Sequence, residues 1–108
     1  MTYLIIPTFN EGSRLTKTLK EVKKHINEKN IVVVDDGSSV PESLPKDSKA
    51  TLIRHQINLG KGMAMKTGAD FAFGKGAKAV IFIDADLQHD PKHLPKFKKL
   101  LRNNDLVF

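Results

Sequence analysis

Cysteine and tryptophan are absent from this 108-residue chain, tyrosine occurs once and phenylalanine six times. Without cysteine there is no disulfide scaffold, no thiolate metal site and no cysteine nucleophile, which suits the reducing cytoplasm. So few aromatic rings leave little on which bases could stack, and nucleic acid is disfavoured as the main ligand despite a formal charge of +6. No apolar run approaches the ~20 residues that a membrane-spanning helix requires. Residues 1–6 carry no basic leader and enter an apolar strand pattern at once, unlike a signal peptide. A G-x-S-x-G elbow and an H-E-x-x-H pair are missing, and Asp90-Pro91 interrupts any helix that would join His89 to His93. Gly60-Lys61-Gly62 is not a Walker A loop, because His55 and Gly62 occupy the positions that need glycine and serine or threonine. Gly74-Lys75-Gly76-Ala77-Lys78-Ala79 matches G-x-G-x-x-A in letters only, since it precedes a strand pattern and a dinucleotide fingerprint follows one.

What is present is the composition of one small globular domain, 40% apolar and 28% charged, with no internal repeat or linker. Strand and helix patterns alternate along it. A short apolar strand over residues 3–6 is expected to stop at Pro7, and Asn10 is placed to cap the next helix. In that helix Leu15, Leu19, Val22 and Ile26 form one apolar stripe, with lysines opposite. Residues 31–34 are β-branched and continuously apolar, as in a parallel strand covered on both faces. Residues 40–50 are weakly patterned and predict a loop with at most one helical turn. A third strand over 51–53 and a helix over about 62–73, burying Ala64, Gly68 and Phe71, lead to a fourth strand over 79–83. Asp90-Pro91 then opens a helix with Leu94, Phe97 and Leu101 inward, and Leu106-Val107-Phe108 begins another apolar run. Such alternation implies right-handed β-α-β crossovers and a mostly parallel α/β sheet. Ligands of such sheets bind beyond the carboxyl ends of the strands, so residues 7–11, 35–39 and 84–88 are expected to share one rim.

The excess of positive charge would suit nucleic acid, an anionic membrane face or a phosphorylated small molecule. Its distribution is more specific. Lysines 17, 20, 23, 24, 96, 98 and 99 fall on helix patterns, whereas Asp35-Asp36 and Asp84/Asp86 are tight acidic pairs. In extended chain, Asp84, Asp86 and Gln88 would point to one side and offer three oxygen ligands, with the small Ala85 leaving room. Hard cations such as Mg²⁺ or Mn²⁺ favour those ligands and complete their shell with phosphate oxygens and water. Alone, the D-x-D is also consistent with two solvated turn aspartates. Asp35-Asp36-Gly37-Ser38 can receive a base N–H or a ribose hydroxyl, or simply form an Asp-Gly turn. Lys61 can donate charge to a phosphate at a helix N-terminus, or be an ordinary loop lysine. The lysine-rich helix backs read as solvated faces, with a membrane-surface role as the alternative.

Taken in order, Ile6-Pro7-Thr8-Phe9-Asn10-Glu11, Val32-Val33-Val34-Asp35-Asp36-Gly37-Ser38-Ser39, Asn58-Leu59-Gly60-Lys61-Gly62 and Asp84-Ala85-Asp86-Leu87-Gln88-His89-Asp90-Pro91 resemble the start of a family 2 glycosyltransferase of the GT-A fold. The D-A-D-L-Q-H form is most similar to the dolichol-phosphate mannosyltransferase and polyprenyl-phosphate glycosyltransferase branch. The resemblance implies a Rossmann-like three-layer α/β/α domain that binds a UDP- or GDP-sugar. It places Pro7, Phe9 and Glu11 around the base, Val34 and Asp36 at base or ribose, and Asp84, Asp86 and Gln88 on Mg²⁺ or Mn²⁺ at the pyrophosphate. The acceptor it implies is a polyprenyl phosphate, already ionised and in no need of a general base, met by a cytoplasmic protein at the membrane surface. Two residues depart from the family pattern: Phe9 stands where tyrosine is common, and Asp90 where this branch often has proline. Residues 1–108 are expected to be the nucleotide-sugar-binding part of a domain truncated at its C-terminus, with an open sheet edge able to self-associate. The alternative is a non-catalytic nucleotide-sugar-binding or assembly module lacking the acceptor half.

Overall fold

The computed structural model describes residues 1–85. Four parallel strands, β1 (Thr2–Thr8), β2 (Ile31–Asp35), β3 (Thr51–Arg54) and β4 (Ala79–Phe82), lie in the order β3-β2-β1-β4. Helix α1 (Ser13–Val22) joins β1 to β2 through a 3₁₀ turn at Glu28–Asn30, and α2 (Lys61–Gly74) joins β3 to β4. The link from β2 to β3 contains no helix; where one helical turn is the most the sequence allows, only a turn closed by the Ser48 N–H on the Pro45 carbonyl is found. The strand patterns expected over 106–108 and the helix after Asp90-Pro91 lie outside the described residues, as does the self-associating edge.

Alternation along the buried strands builds the two cores. Leu4, Ile6, Ile31, Val33 and Ile81 face Leu15, Leu19 and Val22 of α1, while Ile5, Val32, Val34 and Val80 face Ala64 and Ala72 of α2. Full burial of each such large side chain is worth about 1.5–3 kcal/mol, so the sheet is clamped from both sides as an α/β/α sandwich. α1 ends at Val22, and Ile26 continues its stripe from beyond the helix, half-buried against the same core. α2 approaches more closely because its inner face is small. A Cβ on Gly68 would run into Ile5 Cγ2 and lie 3.2 Å from Val34 Cγ2. That inner face is Ala64, Gly68 and Ala72; Phe71, expected inside, is only partly buried, since the close approach leaves no room for a ring under the helix axis.

Pro7 does not stop β1. It pairs in register with Val34, and the strand runs on to Thr8 opposite Asp35. The Ile5 carbonyl accepts from the Ile83 N–H on the β4 side, and by alternation the nitrogen of Pro7 faces that same side. The next bond of that ladder would need an N–H on Pro7, so pairing with β4 goes no further than Phe82 opposite Ile5, while β1 continues against β2.

Candidate functional site

The sheet order reverses at β1: β2 and β3 extend to one side, and the chain then returns through α2 to set β4 on the other. Crevices at such reversals, beyond the carboxyl ends of the strands, are where open α/β sheets take their ligands. A cleft of about 440 Å³ opens here. Pro7, Thr8, Phe9 and Glu11 line it from the end of β1, Asp84 and Ala85 from the end of β4. Asp36, Asn58, Gly60, Lys61 and Ala64 line it from the β2 and β3 loops and the first turn of α2.

Phe9 is 44% exposed and presents its ring at the mouth. Across the cleft the Lys61 ammonium lies 2.5 Å from Asp84 Oδ1, both side chains being largely exposed. The backbone next to Asp84 is anchored from below. Thr18, fully buried in the middle of α1, donates its hydroxyl to the Ala85 carbonyl and ties the acidic loop to that helix.

Asp36 is 3% exposed, and its carboxylate is taken up by the protein. Oδ1 accepts from His55 Nδ1 and the Leu59 N–H, each at 2.9 Å; Oδ2 accepts from the Gly60 N–H at 2.8 Å and Asn58 Nδ2 at 3.2 Å. His55 Nε2 in turn lies 2.8 Å from the Thr67 hydroxyl on α2. Burial works against the charge on Asp36, but His55 and the two N–H groups outweigh it and hold the carboxyl below its ordinary value. Asp35 is fully buried on the other side of the chain and accepts from the Ser38 and Glu42 N–H groups at 3.0 and 2.9 Å, and from Arg54 Nη1 at 2.7 Å. Burial opposes its charge as well, and the bonds from Ser38, Glu42 and Arg54 bring its carboxyl below the ordinary value.

Neither helix caps itself. Gly12 and Gly60 precede α1 and α2 with positive φ, and no side chain at either N-cap accepts a hydrogen bond. The segment after β2 supplies both with carboxylates: Asp36 receives the Leu59 and Gly60 N–H groups before α2, and Glu42 receives those of Glu11 and Gly12 before α1. Asn10, expected as the α1 cap, adopts φ 55° and is used otherwise. Its Oδ1 accepts from the Ser39 N–H and its own N–H donates to the Ser38 hydroxyl, each at 2.8 Å, stitching the β1 loop to the β2 loop.

Of the residues singled out in the sequence, Pro7, Phe9, Glu11, Asp36, Lys61, Asp84 and Ala85 meet in the one cleft. Val34 does not line it; the side chain is fully buried against α2. Asp86 and Gln88 lie outside the described residues. Among the described residues no three histidine or acidic side chains gather around a common point. Glu42, Arg54, His55 and Thr67 are not legible as site residues from their spacing, whereas Thr8 falls within the 7–11 rim and Asn58 within the 58–62 motif. A signal existed for one of them: His55 directly follows β3 and falls under the same strand-end rule as the other three loops. Glu42 had none, because it lies in the least patterned stretch of the chain.

A parallel α/β sheet with a cleft at its switch point defines a Rossmann-like α/β class. The particular family follows from comparison: the Glycosyl transferase family 2 profile matches residues 3–108, and the chain belongs to that family. It is 42% identical over 98 residues to an uncharacterized protein of Methanocaldococcus jannaschii, covering 90% of this chain and 40% of that protein. Over 114 residues it is 32% identical to a UDP-N-acetylglucosamine–dolichyl-phosphate N-acetylglucosaminyltransferase of Methanococcus voltae, covering 89% and 45%. Similarity to an undecaprenyl-phosphate mannosyltransferase of Micrococcus luteus is 29% over 109 residues, covering 95% and 45%. The chain thus spans less than half the length of these curated relatives. No helix among the described residues is long and apolar enough to cross a membrane.

Proposed function

We propose that this chain is the nucleotide-sugar-binding part of a metal-dependent glycosyltransferase that takes a UDP- or GDP-sugar and delivers the sugar to a polyprenyl phosphate at the cytoplasmic face of a membrane. The observation that carries the reading is the convergence of Phe9, Glu11, Lys61 and Asp84 on one cleft at the switch point of the sheet. A ring at the mouth can stack on a base, and the lysine at the first residue of α2 faces the acidic loop where a pyrophosphate would lie.

The donor chemistry fits a hard cation. Asp84 offers carboxylate oxygen at the cleft and already holds a positive group, the Lys61 ammonium, with Asp86 and Gln88 proposed to complete the set. Bound there, Mg²⁺ or Mn²⁺ would neutralise the pyrophosphate and stabilise the departing nucleoside diphosphate. The chain's own residues then position the donor: Phe9 and Glu11 at the base, Lys61 at the phosphates, Ala85 leaving space beside them. An ionised polyprenyl phosphate oxygen attacks the anomeric carbon as the bond to the diphosphate breaks, with no proton to remove.

Calorimetric titration with UDP- and GDP-sugars in Mn²⁺ tests this. One of them is expected to bind, and Asp84→Ala to weaken it by about tenfold or more, the loss of one charge-assisted contact. No binding at millimolar donor, or binding indifferent to Asp84, would sink the reading. Sugar transfer to a polyprenyl phosphate by this chain separates an enzyme from a binding module.

A further inference from the structure

Glu42 is a buried carboxylate for which the proposed donor site has no use. It is 7% exposed and belongs to a loop without regular structure, yet three donors from another part of the chain converge on it. Its Oε2 accepts from the Thr8 hydroxyl at 2.5 Å and the Glu11 N–H at 3.0 Å, and its Oε1 from the Gly12 N–H at 3.1 Å. Every one of these donors sits on the segment that leaves β1 and enters α1, the segment that carries Phe9 and Glu11 into the cleft.

Glu42 works from behind. It borders a second cavity of about 400 Å³ with Asn10, Gly12 and Thr16, and does not line the donor cleft. Its own place is fixed as firmly as the loop it holds. The Glu42 N–H donates to Asp35 Oδ2, and the same oxygen accepts from Arg54 on β3. A continuous chain of charge-assisted bonds therefore runs from β3 through Asp35 and Glu42 to the β1 loop.

Cost argues that this device is not incidental. Burying a carboxylate is unfavourable by several kcal/mol unless its oxygens are satisfied, and a neutral Ser, Thr or Asn at the N-cap itself would cap α1 more cheaply. Reaching three donors at once is something a local cap cannot do, since such a cap bonds only the N–H groups two or three residues ahead of it. Glu42 instead fixes the residue before the donor loop, Thr8, together with the two residues after Phe9 and Asn10.

We infer that Glu42 is a positioning residue for nucleotide binding, holding the Phe9–Glu11 loop in its receptive conformation without touching the nucleotide. The inference rests on the donor reading above. Its experiment measures the affinity of the whole chain for UDP and GDP in Mn²⁺ by calorimetry, far below the melting temperature and with folding confirmed by circular dichroism. The exchange rates of the Glu11 and Gly12 amide protons are followed in parallel. Glu42→Ala is expected to weaken nucleotide binding about tenfold and speed exchange at both amides, while the folded fraction stays complete. Glu42→Gln keeps one carbonyl acceptor and is expected to fall between, which covers the case in which the alanine variant does not fold. A merely structural role predicts a lower melting temperature with unchanged affinity of the folded protein. Affinity within twofold of the unaltered chain in a folded variant, or unchanged amide exchange, overturns the role given to Glu42. Failure of the unaltered chain to bind either nucleotide overturns the donor reading itself, and the role of Glu42 with it.

Discussion

Asp35 and Asp36 are adjacent and both buried, and they face opposite halves of the molecule: Asp35 ties down the Ser38–Glu42 stretch and Arg54, Asp36 the start of α2 and His55. Both carboxyls are held below their ordinary value of 3.8 in the folded state. A depressed folded value means stability that is fully present above the unfolded value and is lost as pH falls through the folded one. Thermal unfolding is therefore expected to be insensitive to these groups at pH 5–7 and to weaken on acidification below about pH 4. Asp36→Asn should lower stability at neutral pH by roughly 1–3 kcal/mol, since an amide nitrogen would oppose N–H donors, and should flatten the acid limb. An acid limb unchanged in that variant would contradict the assignment. In the sequence the pair reads equally as ligand-holding or as a turn, because alternation tells which way a side chain points and not what waits there. Only the fold reveals that four protein donors already surround Asp36.

At the scale of elements, periodicity carried most of the information. β2 is fully buried and reads so, α1 shows its stripe, and α2 begins and ends within one residue of its expected bounds. Two of the misreadings, Pro7 and Asn10, share one physical origin: they concern what neighbouring elements do to an element's end. Pro7 is tolerated inside β1 because its nitrogen faces β4, whose pairing goes no further, and not β2, and Asn10 is released from capping because carboxylates from the β2 loop serve both helices. Gly68 is the residue on which the close packing of α2 depends, since any Cβ there meets Ile5 on the central strand. Gly68→Ala, a change that raises intrinsic helix propensity by ~1 kcal/mol, is expected instead to destabilise by about 1–3 kcal/mol through overpacking. Denaturant titration decides between the two signs. A variant as stable as the original would show that α2 can shift outward without loss.

For the whole molecule, the site is assembled from the ends of all four described strands, so whatever binds in the cleft bridges parts of the chain that are far apart in sequence. A nucleotide that binds only the folded form raises the melting temperature, by a stabilisation that grows with the logarithm of its concentration above Kd. Nucleoside diphosphate with Mn²⁺ is expected to raise it by several degrees, and a chelator to abolish most of that rise, because the acidic loop then repels the diphosphate. A rise that survives chelation would place recognition in the base contacts and remove the cation from the proposal. The parallel sheet and the shared rim were legible from the alternation of strands and helices. The strand order was not, because apolar runs record burial and not neighbours. That order has a consequence for synthesis on the ribosome. Among the described strands β1 precedes both of its neighbours, and one of its edges stays unpaired until residues 79–82 emerge. Throughout that interval a nascent polypeptide carries an adhesive unpaired strand edge, so chaperone engagement of chains stalled before β4 should exceed that of chains stalled after β4 has docked.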